Sequence, residues 1–278
     1  MAGLLSGLAG LGLDNLENVD IFEGEKKEEQ KAAAVVKKAP EVEEKDLVYD
    51  KTFKCPVCDK SFPTKIVKTG RARMIGTDWD LRPRYEGIHT MKYDVLLCPH
   101  CGYAALSRFF ASVTPGQAKL IKENISNNVK LTHYEGETYS YEQAIERFKL
   151  CLANAVVKRA KTSEKSYICL RTAWLLRGYQ ESEEGKAKAE ELKAEEENYL
   201  LNAYNGFIEA RQSEPFPMCG MDEVTLDYLL AELATHFKKY DVAGKLVQNI
   251  LASPSANTRM KDRARDLKDR ILAEMKKQ

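Results

Sequence analysis

The chain lacks the patterns that mark most enzymes. Only four of its 278 residues are histidine, and none of the four has a spaced carboxylate or second histidine that suggests a catalytic site. GxSxG, Walker, HExxH and dinucleotide fingerprints are all missing. The glycine-rich run from Gly3 to Gly12 has no Lys-Ser/Thr pair and so makes no phosphate cradle. No apolar run approaches the roughly 20 residues that span a bilayer. The Met1 to Leu13 start carries no basic n-region, so no secretory signal is expected and the location expected is cytoplasmic. Net charge is almost absent, +1 at pH 7, unlike the strong basic surplus of most nucleic-acid-binding domains. The seven cysteines show no pairing rhythm, because Cys151, Cys169 and Cys219 are scattered. That argues against a disulfide framework and for a reducing compartment.

The other four cysteines are the strongest chemical statement in the chain. Cys55-Pro56-Val57-Cys58-Asp59-Lys60 and Cys98-Pro99-His100-Cys101-Gly102-Tyr103 are two copies of one knuckle. Cysteines three apart on a tight turn aim both sulfurs at one point, and two such turns complete a tetrahedral site for which zinc is the default metal. The residue after each second cysteine is expected at positive φ, which Gly102 adopts freely and Asp59 tolerably. Rubredoxin-like iron is the main rival metal, since four sulfurs serve both. A redox dithiol fits less well, because matched knuckles favour shared ligation. His100 lies inside a knuckle, yet with four sulfurs available it is expected to face solvent.

Charge and composition divide the chain into three parts. Residues 1–50 carry 12 acidic against 6 basic side chains, and residues 51–101 carry 10 basic against 5 acidic. Residues 1–49 read as a disordered acidic arm with a short apolar N-terminal motif, since the Glu/Lys/Ala stretch from 23 to 46 has too little apolar surface to offset its ordering entropy. Residues 50–104 read as a two-knuckle, zinc-ribbon-like module with short strands around Phe62, from Lys65 to Ile75 and from Tyr93 to Leu97. The insert between knuckles is long for a ribbon, and Trp79, Pro83, Tyr85 and Gly87 are expected to form an irregular excursion. Residues 105–278 read as helical. The expected helices are Ala104 to Ser112, Gly116 to Asn127 after a Thr114-Pro115 start, Tyr141 to Ala160, Glu164 to Arg177, Ala187 to Arg211, Asp222 to Lys239, Val242 to Leu251, and a polar capping helix from Asn257 to Lys276.

The helices carry a recurring signature. Ala144, Phe148 and Cys151 have the Ala-x3-Phe-x2-small spacing of a tetratricopeptide repeat. Ala203, Phe207, Ala210 and Pro215 repeat it, and Ala243, Val247 and Ile250 give a third copy. The expected fold class is therefore α+β and predominantly α: a small zinc-ribbon-like module followed by tetratricopeptide-like antiparallel helix pairs.

These stretches together resemble an uncharacterised bacterial family, a domain of unknown function, in which a two-knuckle metal module precedes tetratricopeptide-like helices. The resemblance covers about residues 50 to 272. It is carried by Phe53 to Cys58, Tyr85-Glu86-Gly87, Tyr93 to Ala104, Leu170-Arg171-Thr172-Ala173-Trp174-Leu175, and Ser255 to Asp266. The family supplies an architecture and no activity.

The function expected is a non-catalytic zinc-binding scaffold that holds an unidentified protein or peptide partner in a helical groove, with one zinc on Cys55, Cys58, Cys98 and Cys101. By analogy with helix-pair repeats, Thr225, Tyr228, Glu232 and Thr235 would line that groove. An alternative is nucleic-acid binding, with Lys65, Lys68, Arg71, Arg73, Arg82 and Arg84 on phosphates and neighbouring aromatics on bases, although Asp78, Asp80 and Glu86 interrupt the patch. The remaining alternative is an iron electron carrier.

Overall fold

A computed structural model describes residues 43–131, 134 and 136–276. The N-terminal apolar motif, most of the expected arm, and His133 lie outside the described residues. The ordered chain starts with a short 3-10 turn, Glu44–Leu47, and passes directly into strand β1, Val48–Lys54. Strand therefore begins two residues inside the stretch expected as arm, because Leu47 and Val48 are buried against Ile88, Tyr93 and Tyr139.

Among the described residues six short strands make three separate antiparallel hairpins. β1 pairs with β2, Ser61–Val67, from Lys54 opposite Ser61 to Val48 opposite Val67. β3, Met74–Thr77, pairs with β4, Pro83–Tyr85. β5, Val95–Leu97, pairs with β6, Ala104–Leu106. The last hairpin corrects the helix expected from Ala104 to Ser112. A three-residue apolar run has no readable period, and here Ala104, Ala105 and Leu106 satisfy their backbone on β5, followed by turns up to Ser112.

Among the described residues seven α-helices follow: α1, Pro115–Ile121, extended by one π turn at Lys122–Ser126; α2, Tyr141–Val157; α3, Thr162–Glu181; α4, Ala189–Ser213; α5, Glu223–His236; α6, Tyr240–Ala252; and α7, Thr258–Met275. Their starts are set by side chains. Thr114 and Gln117 close a capping box at α1, with Pro115 in the first turn, and Ser140 and Gln143 close another at α2. The Asp222 side chain accepts from Thr225 N at 2.8 Å and the Asn257 side chain from Met260 N at 2.9 Å, capping α5 and α7. From α2 onward each helix packs on its successor, and the short connections make neighbours antiparallel. Ala203, Phe207 and Ala210 of α4, and Ala243, Val247 and Ile250 of α6, are buried at these contacts.

The β5–β6 hairpin joins the two parts. Val95, Leu97, Ala104 and Leu106 belong to the large core that includes Phe148, Leu170 and Trp174. Leu96 and Ala105 point the other way, into a second core with Cys55, Phe62, Cys98, Cys101, Tyr103 and Phe110. Side chains alternate across a strand, so an apolar run covered on both faces becomes a shared wall.

Candidate metal centre

Both knuckles are six-residue loops closing a hairpin, residues 55–60 between β1 and β2, and 98–103 between β5 and β6. Their backbone bonding matches position for position. Cys55 N donates to the Lys60 carbonyl at 3.0 Å and Cys98 N to that of Tyr103 at 2.9 Å. Asp59 N donates back to the Cys55 carbonyl at 2.9 Å and Gly102 N to that of Cys98 at 3.0 Å. This closure places Asp59 at φ 61° and Gly102 at φ 72°, the positive values expected from sequence.

The loops bring their sulfurs together. Cys55 and Cys101 Sγ are 3.6 Å apart, as are Cys58 and Cys98 Sγ, and all four lie within 4.8 Å of one another. A tetrahedron with metal–sulfur bonds of about 2.3 Å has edges of about 3.8 Å, so the tetrad has the size of a zinc or iron site. Val57 N approaches the Cys55 sulfur at 3.4 Å, a bond that supports thiolate charge. Cys55 and Cys98 are fully buried, Cys101 is buried and Cys58 is half-buried. Without a cation the four cannot all ionise. Cys55 is held below the usual thiol range by hydrogen bonds from Cys101 and Cys98, while Cys101, donating toward Cys55, is driven well above it. A divalent cation replaces those sulfur-bound protons and removes the conflict. His100 is exposed at the tip of its knuckle.

Phe62, Tyr103 and Phe110 wall the tetrad on one side. The Phe62 and Phe110 rings meet edge to face at 5.9 Å, and the Tyr103 hydroxyl donates to the Phe110 carbonyl at 3.0 Å. On the other side Gly102 meets the end of the α1 segment so closely that a Cβ there would lie 2.6 Å from Val129 Cγ1.

The insert expected as a basic, aromatic surface is in large part an internal anchor. Asp80 is fully buried and accepts from Trp174 Nε1 at 2.8 Å and from Arg177 Nη1 and Nη2 at 3.0 and 2.8 Å. Arg82, 2% exposed, binds Asp78 and Glu181, and half-exposed Arg84 reaches the same two carboxylates. Burial opposes the Arg177 charge, but Asp80 and Glu196 outweigh it and hold this guanidinium above its ordinary pKa. Trp79 stacks on the His236 ring at 5.0 Å with Arg177 over its other neighbourhood at 5.2 Å. The sequence signal was the alternation of Asp78 and Asp80 with Arg82 and Arg84, two acids and two bases at every second position.

Of the other candidate nucleic-acid contacts, Lys65 pairs with Asp50 at 3.2 Å and Lys68 Nζ donates to the Asp46 carbonyl at 2.8 Å. Arg71 and Arg73 are exposed in the turn before β3, Arg73 at 3.8 Å from Glu86. The structure thus ties Lys65, Lys68, Arg82 and Arg84 to carboxylates or a backbone carbonyl and leaves Arg71 and Arg73 exposed. Among the candidate groove residues, Tyr228, Glu232 and Thr235 are buried and Thr225 is half-buried. The Tyr228 hydroxyl donates to Glu232 at 2.7 Å, Arg270 of α7 also binds Glu232, and the Thr235 hydroxyl donates to the Ala231 carbonyl at 2.8 Å. Helix α7 covers this face, so these residues serve contacts inside the stack. Glu232 and Thr235 also border a cavity of about 320 Å³ with Trp79, His236 and Arg270.

A family model described as an uncharacterized protein conserved in bacteria (DUF2225) matches residues 48–271. No curated protein and no solved structure matches the chain.

Proposed function

The chain belongs to this conserved bacterial family, and from that premise we propose that it is a non-catalytic scaffold, stapled by one zinc ion, that presents its helical layer to a protein partner. One observation carries the reading: four sulfurs from two matched loops lie within 4.8 Å of one another inside the smaller core, a set of the size a tetrahedral metal site needs. A closed set of four protein ligands is the mark of a structural site, whereas catalytic zinc keeps a position open. Zinc is assigned over iron as the common occupant of paired knuckles. No helix among the described residues is long and apolar enough to cross a membrane, and the seven cysteines are free thiols, which supports a reducing compartment such as the cytoplasm.

The partner surface we assign lies outside the α5–α7 interior. Val156 on α2 and Leu201 on α4 are 58% and 38% exposed, apolar and helical. Two measurements test the reading. Protein purified without added metal should be colourless and hold one zinc per chain, and a red, iron-containing sample would transfer the site to electron carriage. Photo-crosslinkers at Val156 and Leu201, used in the native cytoplasm, should capture the same protein partner; absence of any discrete adduct at both positions would remove the scaffold reading.

A further inference from the structure

A cavity of about 280 Å³ beside the second knuckle is lined by Asp50, Pro63, Thr64, Lys65, Leu97, Pro99, Leu131, Tyr134, Tyr139 and Arg147. Arg147 of α2 is only 4% exposed. Its Nη2 donates to Thr64 Oγ1 at 3.1 Å and to the Val95 carbonyl at 2.7 Å, and its guanidinium lies 4.4 Å from the centre of the Tyr139 ring. Tyr139 is fixed in turn by hydroxyl contacts with Thr64 Oγ1 at 3.2 Å and Lys65 N at 3.3 Å. Among the described residues these partners of the guanidinium are all neutral. Among the described residues Arg147 bonds only to the two neutral oxygens of Thr64 and Val95, and its Nε is buried without a hydrogen-bond partner. Burial accordingly pulls the Arg147 pKa below its ordinary value.

A buried guanidinium without a counter-charge is costly. Elsewhere the protein avoids that cost. The cavity of about 370 Å³ bordered by Arg82, Arg84 and Lys92 also contains Glu44 and Glu181, which bind those three cations. Among the described lining residues of the Arg147 cavity the one carboxylate, Asp50, is engaged by Lys65, leaving those residues a surplus of one positive charge. Apart from Thr64, whose hydroxyl is engaged by Arg147 and Tyr139, the remaining described walls are apolar or aromatic. We propose that this cavity binds a small carboxylate with an apolar body, its head group neutralising Arg147 and its body packing between Pro63, Leu97, Leu131 and Tyr134. The site is separate from the metal centre and independent of the scaffold reading, although Leu97 and Pro99 flank Cys98 and would transmit occupancy to the second knuckle.

The test titrates the full-length, zinc-loaded chain with benzoate and with its neutral isostere benzamide, by calorimetry. Benzoate should bind one site about tenfold or more tightly than benzamide, the difference made by one charge-assisted hydrogen bond. Arg147→Met should abolish the preference. Because Arg147 also ties α2 to β5, a second variant guards against misfolding. Asp50→Asn, on the exposed face of β1, removes the competing carboxylate, frees Lys65, and should tighten benzoate binding by about threefold. Equal binding of the acid and the amide, no saturable benzoate binding, or an Asp50→Asn variant unchanged toward benzoate would each overturn the proposal.

Discussion

The two knuckle hairpins share a loop and differ in almost everything else. In β1–β2 only Val48, Phe62 and Thr64 are buried, and most of β1 faces solvent. In β5–β6 all six strand residues are buried, alternately in the metal core and the helical core. Identical loop chemistry therefore serves two unlike purposes. The second knuckle is delivered to the site by a hairpin that the helices already hold. The first is mounted on a hairpin with little apolar surface, for which metal ligation would be a principal anchor. Zinc contributes about 10–16 kcal/mol of apparent binding free energy in small structural sites, far more than burial of one phenylalanine at about 1.5–3 kcal/mol.

Breaking the comparison starts with the metal ligands. Cys55→Ser and Cys98→Ser both remove one sulfur, and each should cost most of the zinc affinity, read as metal lost on dialysis. They should differ in the protein left behind, with β5–β6 persisting in either variant. The next effect concerns the insert between hairpins, which is tied to α3 without metal. Asp80→Ala would leave Arg177 and the Trp174 indole N–H buried and short of a partner, at a cost of about 3–5 kcal/mol, measured by chemical denaturation with zinc bound. A smaller effect separates the loops themselves. Gly102→Ala places a side chain at positive φ against Val129 and should cost about 1–3 kcal/mol, while Asp59→Gly at the equivalent, exposed position should change stability by less than about 1 kcal/mol.

A separate effect depends on pH. The His89 ring packs on Gly178 and Tyr141, and its two nitrogens are buried without partners. Burial, then repulsion from Arg82 and Lys92, pushes its pKa down to about 3. The unfolded chain takes up that proton near pH 6.5 and the folded protein does not, so His89 favours the folded state above that pH and this advantage is lost as pH falls toward 3. The slope is about 1.4 kcal/mol per pH unit. His89→Phe should flatten the difference between pH 6.5 and 4 in paired denaturation curves. Parallel curves for the two proteins would contradict that assignment.

The clustering of the four cysteines was legible because cysteine spacing is itself the chemistry of such a site, and the positive φ at Asp59 and Gly102 followed from the same turn. Helix starts were legible where caps are local, as at Thr114-Pro115 and Asn257. What sequence reading missed depends on pairing at long range. Asp80 meets Arg177 across 97 residues, and no local pattern says that Arg82 and Arg84 turn inward toward Glu181. The strand at Ala104–Leu106 escaped because a short apolar run fits helix and strand alike, and only its partner β5 decides. The groove residues of α5 were placed by analogy with repeat proteins, and α7 covers three of them.

The central claim is that one ion joins a weakly anchored hairpin to a strongly anchored one. Hydrogen exchange by mass spectrometry, on the zinc-loaded chain and after chelation, tests it most directly. Residues 48–67 should lose most of their protection when the metal is removed, while residues 95–106 and helices α2 to α6 keep most of theirs. Equal loss over both hairpins, or unchanged protection of residues 48–67, would contradict the account.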